Sequence, residues 1–367
     1  MTIHDSRILS PTDIKQIKLK NRFAVAPMTR VSATENGNAT ATMARYYERF
    51  AKGGFGLVIT EGIYTDRRFS QGYPCQPGIS DEEQAQAWRA VTRPIHEHGS
   101  TVFAQLMHAG ALSQGNRFTG RPVAPSAIRP KGTQMAFYYG EGQYPVPNAM
   151  TDEDIADAIE GFAQAAARTV GTAGFDGIEI HGANGYLLDQ FLTDYTNTRT
   201  DRWGANVRAR LELTLEVIKA VRQVAGGHPV GVRISQGKVN DFDHKWPDGE
   251  ADAEVIFGTL ADANVDFIHV TEFDAAQPAF ANNEASLVKL ARRFAAAVPI
   301  IANGGLHNIA HANIALEDGA DILAIGKAAL ANPDLPLRLA DGQPLADFEP
   351  SILGPIANIK DSELATA

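Results

Sequence analysis

Residues 151–186 read TDEDIADAIEGFAQAAARTVGTAGFDGIEIHGANGY, and this stretch decides the fold. Thr151 is a good N-cap residue and Asp154 stands at the third helical position. Ile155, Ile159, Phe162 and Ala166 recur at helical spacing and share one apolar face. The spacing predicts a helix over 151–170, with Gly174 ending it as a C-cap would. The run 175–180 is short and mostly apolar without clean alternation, as expected of a strand covered on both faces. Directly after it, within six residues, come an imidazole, a carboxamide and a phenol: His181, Asn184 and Tyr186.

The same unit recurs along the chain. Strand-like runs occupy 22–26, 56–60, 101–106, 175–180, 229–234, 266–270, 299–302 and 321–325. Helical periodicity recurs over 81–98, where Pro94 is expected to kink or break the helix, and over 206–224. Roughly eight strand–helix units in series, with no long linker, predict an α/β fold of the (β/α)8 TIM-barrel class, a single domain over 1–367. A doubly wound open sheet is the competitor. It calls for a glycine-rich phosphate turn after the first strand, whereas Pro27, Met28, Thr29 and Arg30 follow here. Residues 109–150, rich in Gly, Pro and Tyr, form a long insertion after the third strand. A loop of that length on the face where barrel active sites form reads as a lid or pocket wall. The tail 341–367 has weak periodicity and is expected to pack on the barrel or fray.

The 367 residues are 44% hydrophobic and 21% charged with a net charge of −10, an ordinary globular composition. The acidic balance argues against a nucleic-acid partner, which requires clustered Lys and Arg. The single cysteine, Cys75, forms no internal disulfide and builds neither a zinc-thiolate nor an iron–sulfur cluster, and no metal site is expected. Residues 1–7 are polar without an apolar signal core, and no run reaches the ~18 apolar residues of a membrane span. A cytoplasmic protein is expected, with no membrane partner and a homo-oligomer left open.

In a barrel the C-terminal ends of the strands converge on one pocket. In chain order this places there Ala26, Pro27, Met28 and Thr29; Glu61 and Gly62; Gln105 and His108; His181, Asn184 and Tyr186; Arg233; Thr271; Asn303, Gly304 and Gly305; and Gly326 and Lys327. Two fixed donors aimed at a carbonyl oxygen stabilise the charge that builds there when a conjugated double bond is reduced. A phenol is mostly protonated at pH 7 and can act as the acid.

In this order, and with HGANGYLLDQFL (181–192) continuing through Tyr195, Asn197, Arg199, Asp201 and RWG (202–204), the chain resembles the Old Yellow Enzyme family of FMN-dependent ene-reductases, which fold as (β/α)8 barrels. The resemblance runs from Asn21 to Asp334. It implies a tightly bound, non-covalent FMN across the barrel mouth, reduced by NADPH or NADH. It further implies that His181 and Asn184 hold the carbonyl oxygen of an α,β-unsaturated substrate, or its counterpart in a nitro-activated alkene. The flavin then gives hydride to the β-carbon while Tyr186 protonates the α-carbon. His181 also lies against the flavin.

Chemistry supports the remaining assignments. A cationic Arg233 suits the negative charge that reduction puts near flavin N1 and O2. Gln105 carries the donor and acceptor that the pyrimidine edge needs. Thr29 offers a hydroxyl to flavin O4, Gly62 leaves room beside the ring, and the phosphate is expected between Asn303, Gly304, Gly305 and Gly326, Lys327. Tyr73 resembles the family's substrate-pocket tyrosine. The chain departs from the family where Lys327 replaces an Arg, Ala111 replaces an Arg, and the charged loop 236–250 differs. Thr29 stands where some members carry Cys. The rival readings are a flavin-binding sensor without organic turnover and a non-flavin barrel such as an aldolase, which lacks its Schiff-base Lys or metal cluster here.

Overall fold

The computed structural model describes residues 7–281, 284–306 and 308–365. Eight parallel strands close a barrel: β1 (Phe23–Val25), β2 (Leu57–Tyr64), β3 (Thr101–Met107), β4 (Gly177–Asn184), β5 (Val230–Lys238), β6 (Phe267–Thr271), β7 (Ile300–Asn303) and β8 (Ile322–Ile325). Each pairs with its neighbour in sequence, and β8 returns to β1. The expected (β/α)8 barrel is the fold.

The helix Asp152–Val170 opens with a capping box, the Thr151 and Asp154 side chains each bonding the other's backbone N–H. It stops at Gly171 rather than Gly174, which instead takes φ +72° in the turn into β4. The helix Glu82–Glu97 runs through Pro94. Pro94 stands in the last turn, so few bonds remain to be lost after it. The periodicity over 206–224 resolves into two pieces, Val207–Arg210 and Glu212–Val224.

Three strands outrun their expected ends by four residues. β2 reaches Tyr64 rather than 60, β4 reaches Asn184 rather than 180, and β5 reaches Lys238 rather than 234. The extensions EGIY, HGAN and SQGK break the apolar runs with Glu, His, Asn, Ser, Gln, Lys and Gly, so hydrophobicity does not register them. His181 and Asn184 therefore sit within β4, not in a loop after it.

The barrel interior is layered. Phe103 and Phe267 stack at 5.5 Å near its floor, with Leu57, Ile301 and Ile322. The hairpin of Thr12–Ile14 and Ile17–Leu19 plugs this end, burying Ile14 and Leu19 in the same cluster. Added Cβ atoms at Gly177 and Gly231 would lie 2.6 and 2.5 Å from Phe103 and Phe267. Glycine there makes room for the two rings. Above the floor, the inward positions turn polar.

The insertion folds as short pieces: 3-10 turns at Gly110–Leu112 and Ala136–Tyr138, and a two-strand pair of Val123–Ala124 with Asn148–Ala149. The tail packs rather than frays. Its Glu363 is buried against Arg30 and Arg49. No helix among the described residues is long and apolar enough to cross a membrane.

Candidate active site

In an ordinary strand His181 and Asn184, three residues apart, face opposite sides. Here the β4–β5 register shifts between Gly182 and Asn184, and Asn184 takes φ +62°. A bulge re-aims the residues beside it, so Asn184 is not held by strict alternation to the face opposite His181. Ser235 Oγ accepts from Asn184 N at 2.8 Å, and Asn184 O accepts from Val239 N at 3.1 Å. Behind the turn, buried Asp189 accepts from Gly185 N at 2.6 Å and pairs with Lys238 Nζ at 2.9 Å.

His181 is 3% exposed. Its Nδ1 accepts from Ala183 N at 3.4 Å, which leaves the proton on Nε2. Burial first, then Arg233 and His269, hold its pKa well below 6.5. His181 is thus a neutral donor. The Tyr186 ring packs edge-on against it at 4.9 Å, and the Tyr186 hydroxyl meets that of Tyr73 at 2.5 Å. Burial raises the pKa of both phenols, so each keeps its proton.

Arg233 pairs in register with His181 and His269. Its Nη2 donates to Thr271 Oγ1 at 3.1 Å and to Asn303 Oδ1 at 2.9 Å, while its Nε is buried without a hydrogen-bond partner. The Asn303 amide also donates to Ala324 O at 2.9 Å. Its side chain therefore props Arg233, and only its backbone remains for a phosphate. Gly304 and Gly305 take φ +128° and +67°, and a Cβ on Gly304 would lie 2.1 Å from Glu272 O, so the turn there is bare backbone. Gly326 precedes the helix Lys327–Ala331, and Lys327 is exposed at its start. Ala26 is buried in the interior, and Pro27, Met28 and Thr29 continue half-buried from it. A Cβ on Gly62 would lie 2.5 Å from Met107 Sδ. These residues fit a flavin: an unpartnered buried guanidinium nitrogen, a neutral imidazole donor, a carboxamide and a backbone-only turn.

Other strand-end residues turn elsewhere. His108 is buried, and its Nε2 faces Asp66 at 3.9 Å beside the helix Asp152–Val170. Glu61 faces outward, accepting from Arg30 N at 2.9 Å and Tyr47 Oη at 3.2 Å. Burial lifts its pKa from 4.5 to about 7, against the lowering effect of those bonds. A raised carboxyl pKa favours folding below the unfolded value, and this contribution fades as pH rises from 4.5 through about 7. Unfolding of wild type and Glu61→Gln at pH 5 and pH 8 checks this. The difference in stability is expected to move toward the Gln variant at pH 8.

Three site features escape a reading of the strand ends alone. Tyr138, in the insertion, hydrogen-bonds Thr29 and packs on Tyr73 at 4.8 Å. Tyr144, also from the insertion, is buried in the same cluster. Glu179 and His269 lie fully buried below the mouth. Their signal was strand alternation: each stands two residues before a site residue, His181 and Thr271.

Residues 7–346 match the family described as NADH:flavin oxidoreductase / NADH oxidase. A probable flavin mononucleotide-dependent alkene reductase of Leishmania infantum is 38% identical over 352 residues, 94% of this chain and 93% of the relative. A chanoclavine-I aldehyde reductase of Penicillium roqueforti is 32% identical, covering 94% and 92%. The Old Yellow Enzyme homologue of Zymomonas mobilis superposes with a TM-score of 0.85 at 29% identity over 98% of both chains. Morphinone reductase in complex with tetrahydroNAD gives 0.82 at 29% identity, over 94% and 93%. The chain belongs to the NADH:flavin oxidoreductase family and is an FMN- and NAD(P)H-dependent oxidoreductase of the Old Yellow Enzyme type.

Proposed function

We propose that this protein reduces the C=C bond of α,β-unsaturated carbonyl compounds, or of nitro-activated alkenes, in a ping-pong cycle. The observation that carries the reading is the neutral His181 Nε2–H, on the strand that bulges before Asn184. Relatives named as alkene and aldehyde reductases support the substrate class. Bound FMN, reduced by NADH or NADPH, supplies the hydride.

The chain's residues supply orientation and electrostatics. His181 and Asn184 donate to the substrate oxygen, and their fixed dipoles gain strength as negative charge develops there. Arg233, propped by Thr271 and Asn303, would supply positive charge to the flavin's electron-rich edge. Gln105 would hold the pyrimidine edge and Thr29 a ring carbonyl. Gly62, with Ala26, Pro27 and Met28, would wall the ring. Asn303, Gly304 and Gly305, with Gly326 and Lys327, receive the phosphate through backbone N–H groups and one cation. Tyr73 packs against the substrate, and Tyr186 holds the proton for the α-carbon.

Anaerobic mixing of the reduced, FMN-loaded protein with cyclohexenone tests the reading. Rapid flavin reoxidation with formation of cyclohexanone is expected. Absence of reoxidation overturns it and favours a flavin sensor. Tyr186→Phe is expected to slow enone turnover by about 10²-fold, the usual contribution of a positioned acid, with flavin reduction by NAD(P)H nearly unchanged. Unchanged enone turnover would assign the proton to water.

A further inference from the structure

A charged layer lies between the apolar floor of the barrel and its mouth. Glu179 on β4 is fully buried. Its Oε1 accepts from Gln105 Nε2 at 2.8 Å, and its Oε2 meets His269 Nδ1 at 2.7 Å. Gln105 and Glu179 are register partners across β3 and β4. His269 is the register partner of Arg233 across β6 and β5, and its Nε2 is buried without a hydrogen-bond partner. Glu179 stands two residues below His181 and acts electrostatically on Arg233. Burial works against its charge, but His269, Arg233 and Gln105 outweigh burial and lower its pKa.

An ionised carboxylate only accepts hydrogen bonds. It therefore fixes the Gln105 amide with nitrogen toward the acid, and it fixes His269 with the Nδ1 proton toward the acid. Its negative charge also opposes the attraction that Arg233 exerts on electrons arriving in the flavin. We propose that Glu179 sets both the orientation of Gln105 and the reduction potential of the bound FMN, holding that potential below the value Arg233 alone would impose. A lower potential makes the reduced flavin the stronger hydride donor. The inference rests on the flavin-binding reading above. Glu179 is a positioning residue in this scheme, since it reaches the cofactor only through Gln105 and Arg233.

The test is the equilibrium of the FMN-loaded protein with a reference dye of known potential. Glu179→Gln removes the charge and keeps the shape. It is expected to shift the equilibrium more than threefold toward reduced flavin, about 14 mV for a two-electron couple. His269→Leu strips the strongest of the partners that hold Glu179 ionised, so the buried carboxyl takes up a proton and the expected shift is again toward reduced flavin, shrinking in alkaline buffer as the carboxylate returns. A general loosening of the barrel would not make the His269→Leu shift shrink with rising pH while that of Glu179→Gln persists. A shift below threefold in Glu179→Gln, or a shift toward oxidised flavin in either variant, overturns the proposal. Should Glu179→Gln fail to fold, His269→Leu decides alone: a shift toward reduced flavin that shrinks in alkaline buffer supports the proposal, and none or the reverse overturns it. A wild-type protein that shows no flavin absorbance after loading defeats the flavin reading itself, before either variant is compared.

Discussion

The double variant His181→Ala, Asn184→Ala is expected to lose about a thousandfold or more in the rate at which enone reoxidises the reduced flavin. Removal of one preordered donor from a developing oxyanion lowers rates by about 10²–10³, and this variant removes both. His181 is suited to the role because burial, Arg233 and His269 keep it uncharged while Nδ1 is occupied by a backbone N–H. The proton that remains points from Nε2. Flavin reduction by NAD(P)H is expected to fall far less, since no oxyanion forms in that half of the cycle. A visible titration with p-hydroxybenzaldehyde gives an independent readout. Wild type should develop a long-wavelength charge-transfer band, and the double variant should need much more phenol to do so. Undiminished enone reduction by the double variant would refute the oxyanion role.

Glu363→Ala is expected to destabilise the protein by about 3–5 kcal/mol, the usual consequence of leaving a buried charge without its partner. The Glu363 carboxylate accepts from Arg30 Nη1 at 2.7 Å and Arg49 Nη2 at 3.1 Å, and all three side chains are at most 2% exposed. Arg30 also donates to Ala357 O and Asn358 O, each at 3.0 Å, so it clasps the tail by its backbone as well. Urea unfolding of the two proteins measures the difference. Burial opposes ionisation of Glu363, but Arg30 and Arg49 hold its pKa below 4.5. A depressed carboxyl pKa contributes stability above the unfolded value, and that contribution disappears as pH falls through the folded value. The advantage of wild type over Glu363→Ala should therefore shrink in acid. The same anchor reaches the pocket. Ala357 N donates to Phe137 O at 2.9 Å, and Ile356 packs against the tyrosine cluster. Weaker phenol binding is expected to accompany the loss of stability.

Why some of this was readable in advance follows from the range of each signal. The helix Asp152–Val170 announced itself because its cap, its apolar stripe and its acidic first turn all act within a few residues. Strand ends were misjudged because Gly62, Asn184 and Lys238 continue strands after the apolar pattern has stopped. The tail escaped assignment because its anchor is one acid, Glu363, meeting an arginine 333 residues away. Tyr138 is invisible to periodicity, since its place over Thr29 depends on how an irregular insertion folds back.

The series of strand–helix units determined the barrel from sequence alone, and the family resemblance carried by residues 181–204 implied the class of reaction. Local patterning suffices for the units, because helix caps, apolar stripes and apolar runs each act over a few residues. Tertiary structure alone decided that β4 bulges before Asn184, that Glu179 meets Gln105 and His269 from strands 74 and 90 residues away, and that the C-terminal segment joins the insertion and packs on the tyrosine cluster. Those outcomes depend on barrel closure, which brings distant side chains into one low-dielectric interior where each must find its partner.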